Sequence, residues 1–338
     1  MRIGPIDLDQ EVMIVAEVGN NHEGSFALAE EMVGRAAETG VHAVKFQTIV
    51  PERLVSSNQK DRLQQLKRFQ LSVEQFQGLA ELARQKGLLF LSTPFDLESA
   101  AVLEPLVPAY KVASGDNTFF PLLERVAMTG KPILLSSGML SMEGVRRSRE
   151  FSRRIWREKE IQQGMVLLHC VTSYPTPPRE ANLGAISQLK TLGETVGYSD
   201  HTLGIRAAVL SAALGARVIE KHFTVDKKRS DFRDHALSAD PDEMKQLVQG
   251  VQEVKALIGS GKKEVMDTER GNLDAARRSI AAAVDLSPGT RLGPEHLTWV
   301  RPGTGLPPGR EQGLIGRVLK RRLQAGEILR LEDLEEEG

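Results

Sequence analysis

Between residues 12 and about 258 the chain alternates two hydrophobic patterns. Short apolar runs end in small or polar residues, and longer amphipathic stretches follow them. The runs are VMIVAEVG (12–19), AVKFQT (43–48), LLFLSTPF (88–95), AYKVAS (109–114), PILLSSG (132–138), MVLLHCVT (165–172), TVGYSD (195–200) and RVIEKHF (217–223). They alternate little, which predicts strands buried on both faces, as parallel strands are. The intervening stretches, such as 25–40, 72–87 and 205–216, predict helices. Several open at Ser or Asp and close at Gly, which matches helix capping. Eight strand-helix units in this span predict a (β/α)8 barrel, whose usual size is about 250 residues. A doubly wound open sheet is the alternative architecture.

The pattern changes after residue 258. Residues 259–277 are polar and lack a long apolar face, so they read as a linker. Residues 278–338 carry short β-like runs broken by SPGT, RPGTG, PPG and AGE turns. A small β-rich second domain is expected there, near the lower size limit for independent stability.

Composition narrows the function classes. The 44 basic and 45 acidic residues give a net charge of -1, which argues against nucleic acid or an anionic membrane as the main partner. Any anionic ligand must be held by a few placed cations. A single cysteine, Cys170, excludes an intrachain disulfide and suits a reducing, cytoplasmic compartment. No apolar run approaches the roughly 20 residues that span a bilayer. The N-terminal segment lacks a signal-peptide core.

Catalytic groups of a barrel sit at the C-terminal ends of its strands. Those positions hold Glu17, Asn21 and His22 after the first strand, and Lys45 and Gln47 on the second. Thr93 ends the third strand, Lys111 lies on the fourth with Ser114 and Asp116 behind it, and Ser136 ends the fifth. His169, Cys170 and Tyr174 follow on the sixth, Ser199, Asp200 and His201 on the seventh, and Glu220, Lys221 and His222 on the eighth, with Asp234 and His235 in the next loop.

Ionisable groups in buried strands are costly unless paired or functional. Two lysines, Lys45 and Lys111, with hydroxyls from Thr93, Ser114, Ser136 and Ser199 would make a phosphate or carboxylate cage. The plainer reading pairs a lysine with a buried Glu17 or Glu220 as scaffolding. A Schiff-base lysine is a third reading and needs a neutral amine. His201 and His222, at the ends of consecutive strands, could hold one divalent metal with positions left open for substrate and water. His42 and His296 read as packed or surface residues. GSGKK (259–263) lacks the spacing of a phosphate loop, and no GxGxxG opens the first unit, so a dinucleotide is not expected. The basic run at 146–159 reads as the solvated face of a helix.

The motifs AEVGNNHEG, VKFQT, LSTPFD, YKVASGD, LSSGM, LHCVTSYPTPP, VGYSDHTLGI and VIEKHFT occur in order. Together they resemble the sialic acid synthase family, phosphoenolpyruvate-dependent synthases of nine-carbon 2-keto acids. The tail RRSIAAAVDL…VRPGTG…LIGR resembles that family's C-terminal antifreeze-like (SAF) domain. The resemblance implies a TIM barrel followed by a SAF domain. It implies that Lys45, Thr93, Lys111, Ser114, Ser136 and Ser199 hold phosphoenolpyruvate, and that His201 and His222 bind Mn2+, with Mg2+ or Co2+ as alternatives. Glu17 would lie beside the reacting carbon, making Glu17, His201 and His222 the catalytic set. Gln47, Asp116, Tyr174 and Asp234 would face an amino-sugar acceptor. Arg301 would reach it from the other subunit of a domain-swapped homodimer. The chain departs from the family pattern at SGD, where Glu is usual in place of Asp116, and at Phe232-Arg233 beside Asp234. Both departures lie on the acceptor side.

Overall fold

The computed structural model describes residues 1–336, so the last two positions of the expected second domain lie outside the described residues. The chain divides into two compact units, Met1–Gly259 and Ser260–Gly338.

The first unit is built on eight parallel strands: β1 (Met13–Gly19), β2 (Ala43–Thr48), β3 (Leu89–Pro94), β4 (Tyr110–Val112), β5 (Ile133–Ser136), β6 (Met165–Cys170), β7 (Thr195–Asp200) and β8 (Val218–His222). Their order is β3-β2-β1-β8-β7-β6-β5-β4, and β1 pairs directly with β8. β3 and β4 lie side by side without ladder pairing, so this is a nearly closed barrel and not an open doubly wound sheet.

Side chains on a strand point alternately to its two faces. The outward row is apolar and packs under the helices: Ile14, Ala16 and Val18 on β1, Val44 and Phe46 on β2, Leu135 on β5, Ile219 on β8. The inward row starts apolar, with Met13, Val15, Ala43, Leu91, Ala109, Leu134, Val166, Leu168 and Val218 filling the lower interior. An N-terminal hairpin, Arg2–Ile3 with Ile6–Asp7, adds Ile3, Ile6 and Leu8 to that cluster. Two residues further along each strand, the same row turns polar and ionic. The lower barrel is therefore packed core, and the chemistry is confined to the mouth.

The helices start where capping predicts. The Ser25 hydroxyl accepts from the Leu28 N–H at the head of Phe26–Ala37. Ser72 and Gln75 form a reciprocal capping box on Val73–Gln85. Asp96, Ser141 and Asp240 cap three more. The basic run at 146–159 covers the helix Met142–Glu158 from its second turn to its C-cap, Lys159, with Val145, Ile155 and Trp156 buried. No helix among the described residues is long and apolar enough to cross a membrane.

In the second unit β9 (Ser279–Ala282) pairs antiparallel with β10 (Leu297–Val300). Isolated bridges such as Leu286 with Leu323 and Arg291 with Val318 extend the β character. Ile280, Leu286, Leu297, Leu319, Leu323 and Leu329 form its own small core. Residues 267–276 hold two short helical turns, Asp267–Arg270 and Leu273–Ala276.

Candidate active site

The register of β1, β2 and β8 sets the floor of the site. Glu17 stands opposite Lys45 on one side and His222 on the other, and Glu220 stands opposite Ser199. Lys45 Nζ lies 2.7 Å from Glu17 Oε2 and 3.7 Å from Glu220 Oε2, while Lys111 Nζ lies 3.3 Å from Glu220 Oε1. Lys45 also donates to Thr93 Oγ1 at 3.1 Å, and Ser199 Oγ donates to Glu220 Oε1 at 2.9 Å. All four charged side chains are at most 5% exposed.

Both lysines are thus ion-paired, as the scaffolding reading expected, and the same pairs stand at the mouth where the anion cage was expected. Burial alone would depress the Lys45 pKa. Glu17 and Glu220 outweigh it and raise the pKa, so Lys45 stays an ammonium and is unsuited to a Schiff base. Burial pushes the Glu17 carboxyl up, with Lys45 offsetting it in part. Burial also opposes ionisation of Glu220, but Lys111 and Lys45 prevail and hold it at about 2.

The remaining hydroxyls are placed by the next strand ends. Ser114 Oγ accepts from the Gly138 N–H at 3.2 Å. The buried Asn117 amide bridges the Ser136 and Gly138 carbonyls at 3.1 and 2.9 Å. Ser136 Oγ is buried without a protein partner. One strand end points elsewhere: Asp200 and Lys221 face outward and pair at 3.0 Å beneath the helices, a structural ion pair.

His201 and His222 stand together, ring centroids 5.4 Å apart. His201 Nδ1 lies 2.7 Å from the Val171 carbonyl, so it carries the proton and leaves Nε2 as the ligating nitrogen. His222 Nδ1 is buried and has no hydrogen-bond partner, and burial holds this imidazole neutral. An orphaned buried nitrogen beside a second, oriented imidazole fits a divalent ion. Among the described residues no three His, Cys, Asp or Glu side chains gather as a ligand set. Tyr174 packs its ring 4.1 Å from that of His201 and meets His222 edge-on at 6.0 Å.

Above this floor opens a cavity of about 760 Å³. Gln47, Ser114, Tyr174, His222 and Asp234 line it, together with Asn20, Glu23, Phe69, Phe232 and Arg233. Gln47 joins wall to floor, donating to Glu17 Oε1 at 3.1 Å and accepting from Asn20 Nδ2 at 3.0 Å. Arg233 lies over the Tyr174 ring at 4.9 Å and contacts Asp234 Oδ1 at 3.2 Å. Burial keeps the Asp234 carboxyl above its ordinary range. Asp116 is not among the lining residues. Its Oδ2 is buried without a partner, and burial pushes its carboxyl up to about 6. Arg301 is exposed in the second unit, just past β10.

The sequence offered Glu220 only as a strand-end residue and a possible scaffold partner of one lysine, although its two-residue spacing from His222 puts both on the inward row. Asn20 and Glu23 also went unassigned, because loop residues carry no periodicity to mark them.

The NeuB family model matches residues 32–263, and the SAF domain model matches 277–335. An uncharacterized protein of Methanocaldococcus jannaschii is 41% identical over 332 residues, covering 96% of this chain and 95% of that one. The N,N'-diacetyllegionaminic acid synthase of Legionella pneumophila is 38% identical, covering 98% and 97%. Among solved structures, the N-acetylneuraminic acid (sialic acid) synthetase of Leptospira borgpetersenii superposes with a TM-score of 0.76 at 34% identity, covering 80% of this chain and 94% of that one.

Proposed function

The chain belongs to the NeuB family and is a transferase of the sialic acid synthase type, and on that premise we propose that it joins phosphoenolpyruvate to an amino sugar in a metal-dependent reaction. The acceptor is an open-chain N-acetylmannosamine-like aldose, and the products are a nonulosonic acid and phosphate. The observation that carries this reading is the buried quartet of Glu17, Lys45, Lys111 and Glu220 beside the His201–His222 pair.

Lys45 and Lys111, with the hydroxyls of Thr93, Ser114, Ser136 and Ser199, hold the phosphate and carboxylate of phosphoenolpyruvate. They are preorganised in a water-poor floor, where fixed charges act strongly on developing charge. An incoming anion competes with Glu17 for Lys45. His201 and His222 would hold the divalent ion, Mn2+ first, which when bound supplies Lewis-acid polarisation of the acceptor carbonyl. C3 of phosphoenolpyruvate attacks the aldehyde carbon, whose oxygen takes a proton to become a hydroxyl. Water adds to the resulting cationic C2 and gives its proton to Glu17. The C2–O bond to phosphate then breaks as the new hydroxyl loses its proton, leaving the 2-keto acid. Gln47, Tyr174 and Asp234 face the sugar from the cavity wall.

The test is incubation with Mn2+, phosphoenolpyruvate and a panel of 2-acetamido and 2,4-diacetamido hexoses. Phosphate and a 2-keto acid should appear together with at least one acceptor, and their absence with every acceptor refutes the reading. His201→Ala and His222→Ala should each abolish turnover and metal binding. A cytoplasmic homodimer in which Arg301 serves the partner's acceptor site completes the proposal. Arg301→Ala should weaken acceptor binding and spare phosphoenolpyruvate, whereas a fully active monomer in solution contradicts the dimer.

A further inference from the structure

The loop after β1 ties together the two outer walls of the cavity. Gly24, at φ 85°, presses on the helix Lys60–Phe69 so closely that a Cβ would collide with the Arg68 carbonyl oxygen. That helix carries Phe69, whose ring meets Phe232 edge-on at 5.1 Å across the cavity. Next to Gly24, Glu23 adopts φ 48°, the left-handed region that is uncommon for a residue with a side chain. Residues held there cluster at functional positions.

This conformation delivers the Glu23 carboxylate to the loop after β8. Its Oε1 accepts from Ser230 Oγ at 2.8 Å and from His235 Nε2 at 3.1 Å. His235 is fully buried, with Nδ1 2.7 Å from Thr224 Oγ1, so it is a fixed anchor. The loop held in this way carries Phe232, Arg233 and Asp234 into the cavity wall. Both bonds use the same oxygen. Oε2 has no hydrogen-bond partner among the described residues, and Glu23 itself lines the cavity.

We propose that Glu23 is a specificity-determining residue of the acceptor site. Its Oε1 fixes the loop after β8 through Ser230 and His235, while Oε2 accepts a hydrogen bond from an N–H or O–H of the sugar remote from its aldehyde. This rests on the reading of the cavity as the acceptor site. A carboxylate there selects a donor at that end of the sugar, such as an acylamino N–H, and repels an anionic substituent placed against it.

Acceptor and phosphoenolpyruvate kinetics of wild type, Glu23→Gln and Glu23→Ala test this. The acceptors are an N-acetylated hexose, analogues in which single N–H or O–H donors are methylated, and the corresponding sugar phosphate. Glu23→Gln is isosteric and leaves a carbonyl oxygen for Ser230 and His235. In both variants the acceptor KM should rise roughly tenfold or more, the scale of one hydrogen bond to a charged group. The KM for phosphoenolpyruvate should stay within about twofold, since Glu23 lies on the wall and not among the lysines. One methylated analogue should lose that same factor on wild type and almost none on Glu23→Gln. Unchanged acceptor KM in Glu23→Gln, or an equal loss on every analogue, overturns the proposal while the condensing activity stands. If the wild type turns over no acceptor, this proposal and the reading beneath it both fall.

Discussion

Glu17, Lys45, Lys111 and Glu220 sit on strands, buried and paired with one another, whereas Glu23 and Phe232 sit on loops, Arg233 opens the short helix Arg233–Leu237, and all three reach solvent. The floor is held by ladder register, so its geometry follows from the barrel itself. The outer wall is held by a few side-chain contacts between loops and helix ends: Glu23 to His235, Phe69 to Phe232, Arg233 to Tyr174. The first arrangement suits chemistry common to many substrates, and the second suits the choice of one acceptor. Changes on the floor should therefore disable the protein, and changes on the wall should redirect it.

The largest expected effect comes from breaking the floor. Lys45→Met removes a cation from the cage and strands Glu17 in a buried site, while Glu220 keeps Lys111. Turnover should fall by about two to three orders of magnitude, the scale of losing one preorganised donor. Urea unfolding should show a loss of about 3–5 kcal/mol, the scale of leaving a buried charge unpaired. Near-normal activity with an intact fold would mean that Lys45 is scaffold alone.

Acid should separate the two regions next. His22, in the loop after β1, is buried and its pKa is lowered to about 4, mainly by desolvation. The unfolded chain takes up the proton near 6.5. The stability that goes with a neutral His22 is complete above that pH and is lost as pH falls toward 4. The loss is on the order of 3 kcal/mol, and His22→Gln should flatten that slope. Glu220, held at about 2, loses its own contribution only in more acidic solution, as pH falls from its ordinary range toward 2. Urea midpoints between pH 7 and pH 4 read the first effect, and an identical slope in His22→Gln contradicts it.

The smallest effect belongs to the wall. Phe232→Ala removes the edge-on contact with Phe69, worth about 0.5–1.5 kcal/mol. Acceptor KM should rise several-fold to about tenfold, with the phosphoenolpyruvate KM unchanged. A matching loss in phosphoenolpyruvate binding would show that floor and wall are not separate.

The sequence exposed the floor better than the wall for a physical reason. Lys45 and Lys111 stand out because a charge interrupting an apolar strand is conspicuous in one dimension. The barrel was legible from the repeat of such strands, and the helix starts from Ser25, Ser72 and Asp240. Glu220 was visible as a residue but not as the shared partner of both lysines, because that pairing exists only once β8 closes against β1 and β7. Glu23 was not legible at all. Its left-handed backbone sits beside Gly24, which meets the helix end at Arg68, a contact between residues far apart in sequence. Asp116 is the converse case: its motif implied an acceptor contact, and its carboxyl is buried without a partner and is not among the residues that line the cavity, although Gly115 beside it is.

On the proposed function, the strand-borne floor would activate phosphoenolpyruvate for condensation with cleavage of its C–O bond. Phosphoenolpyruvate carrying heavy oxygen in the bridging position, incubated with Mn2+ and an N-acetylated hexose that is turned over, tests it directly by mass spectrometry. The label should leave entirely in phosphate, with one nonulosonic acid formed per phosphate released. Label retained in the keto acid, or phosphate released without a condensation product, would contradict it.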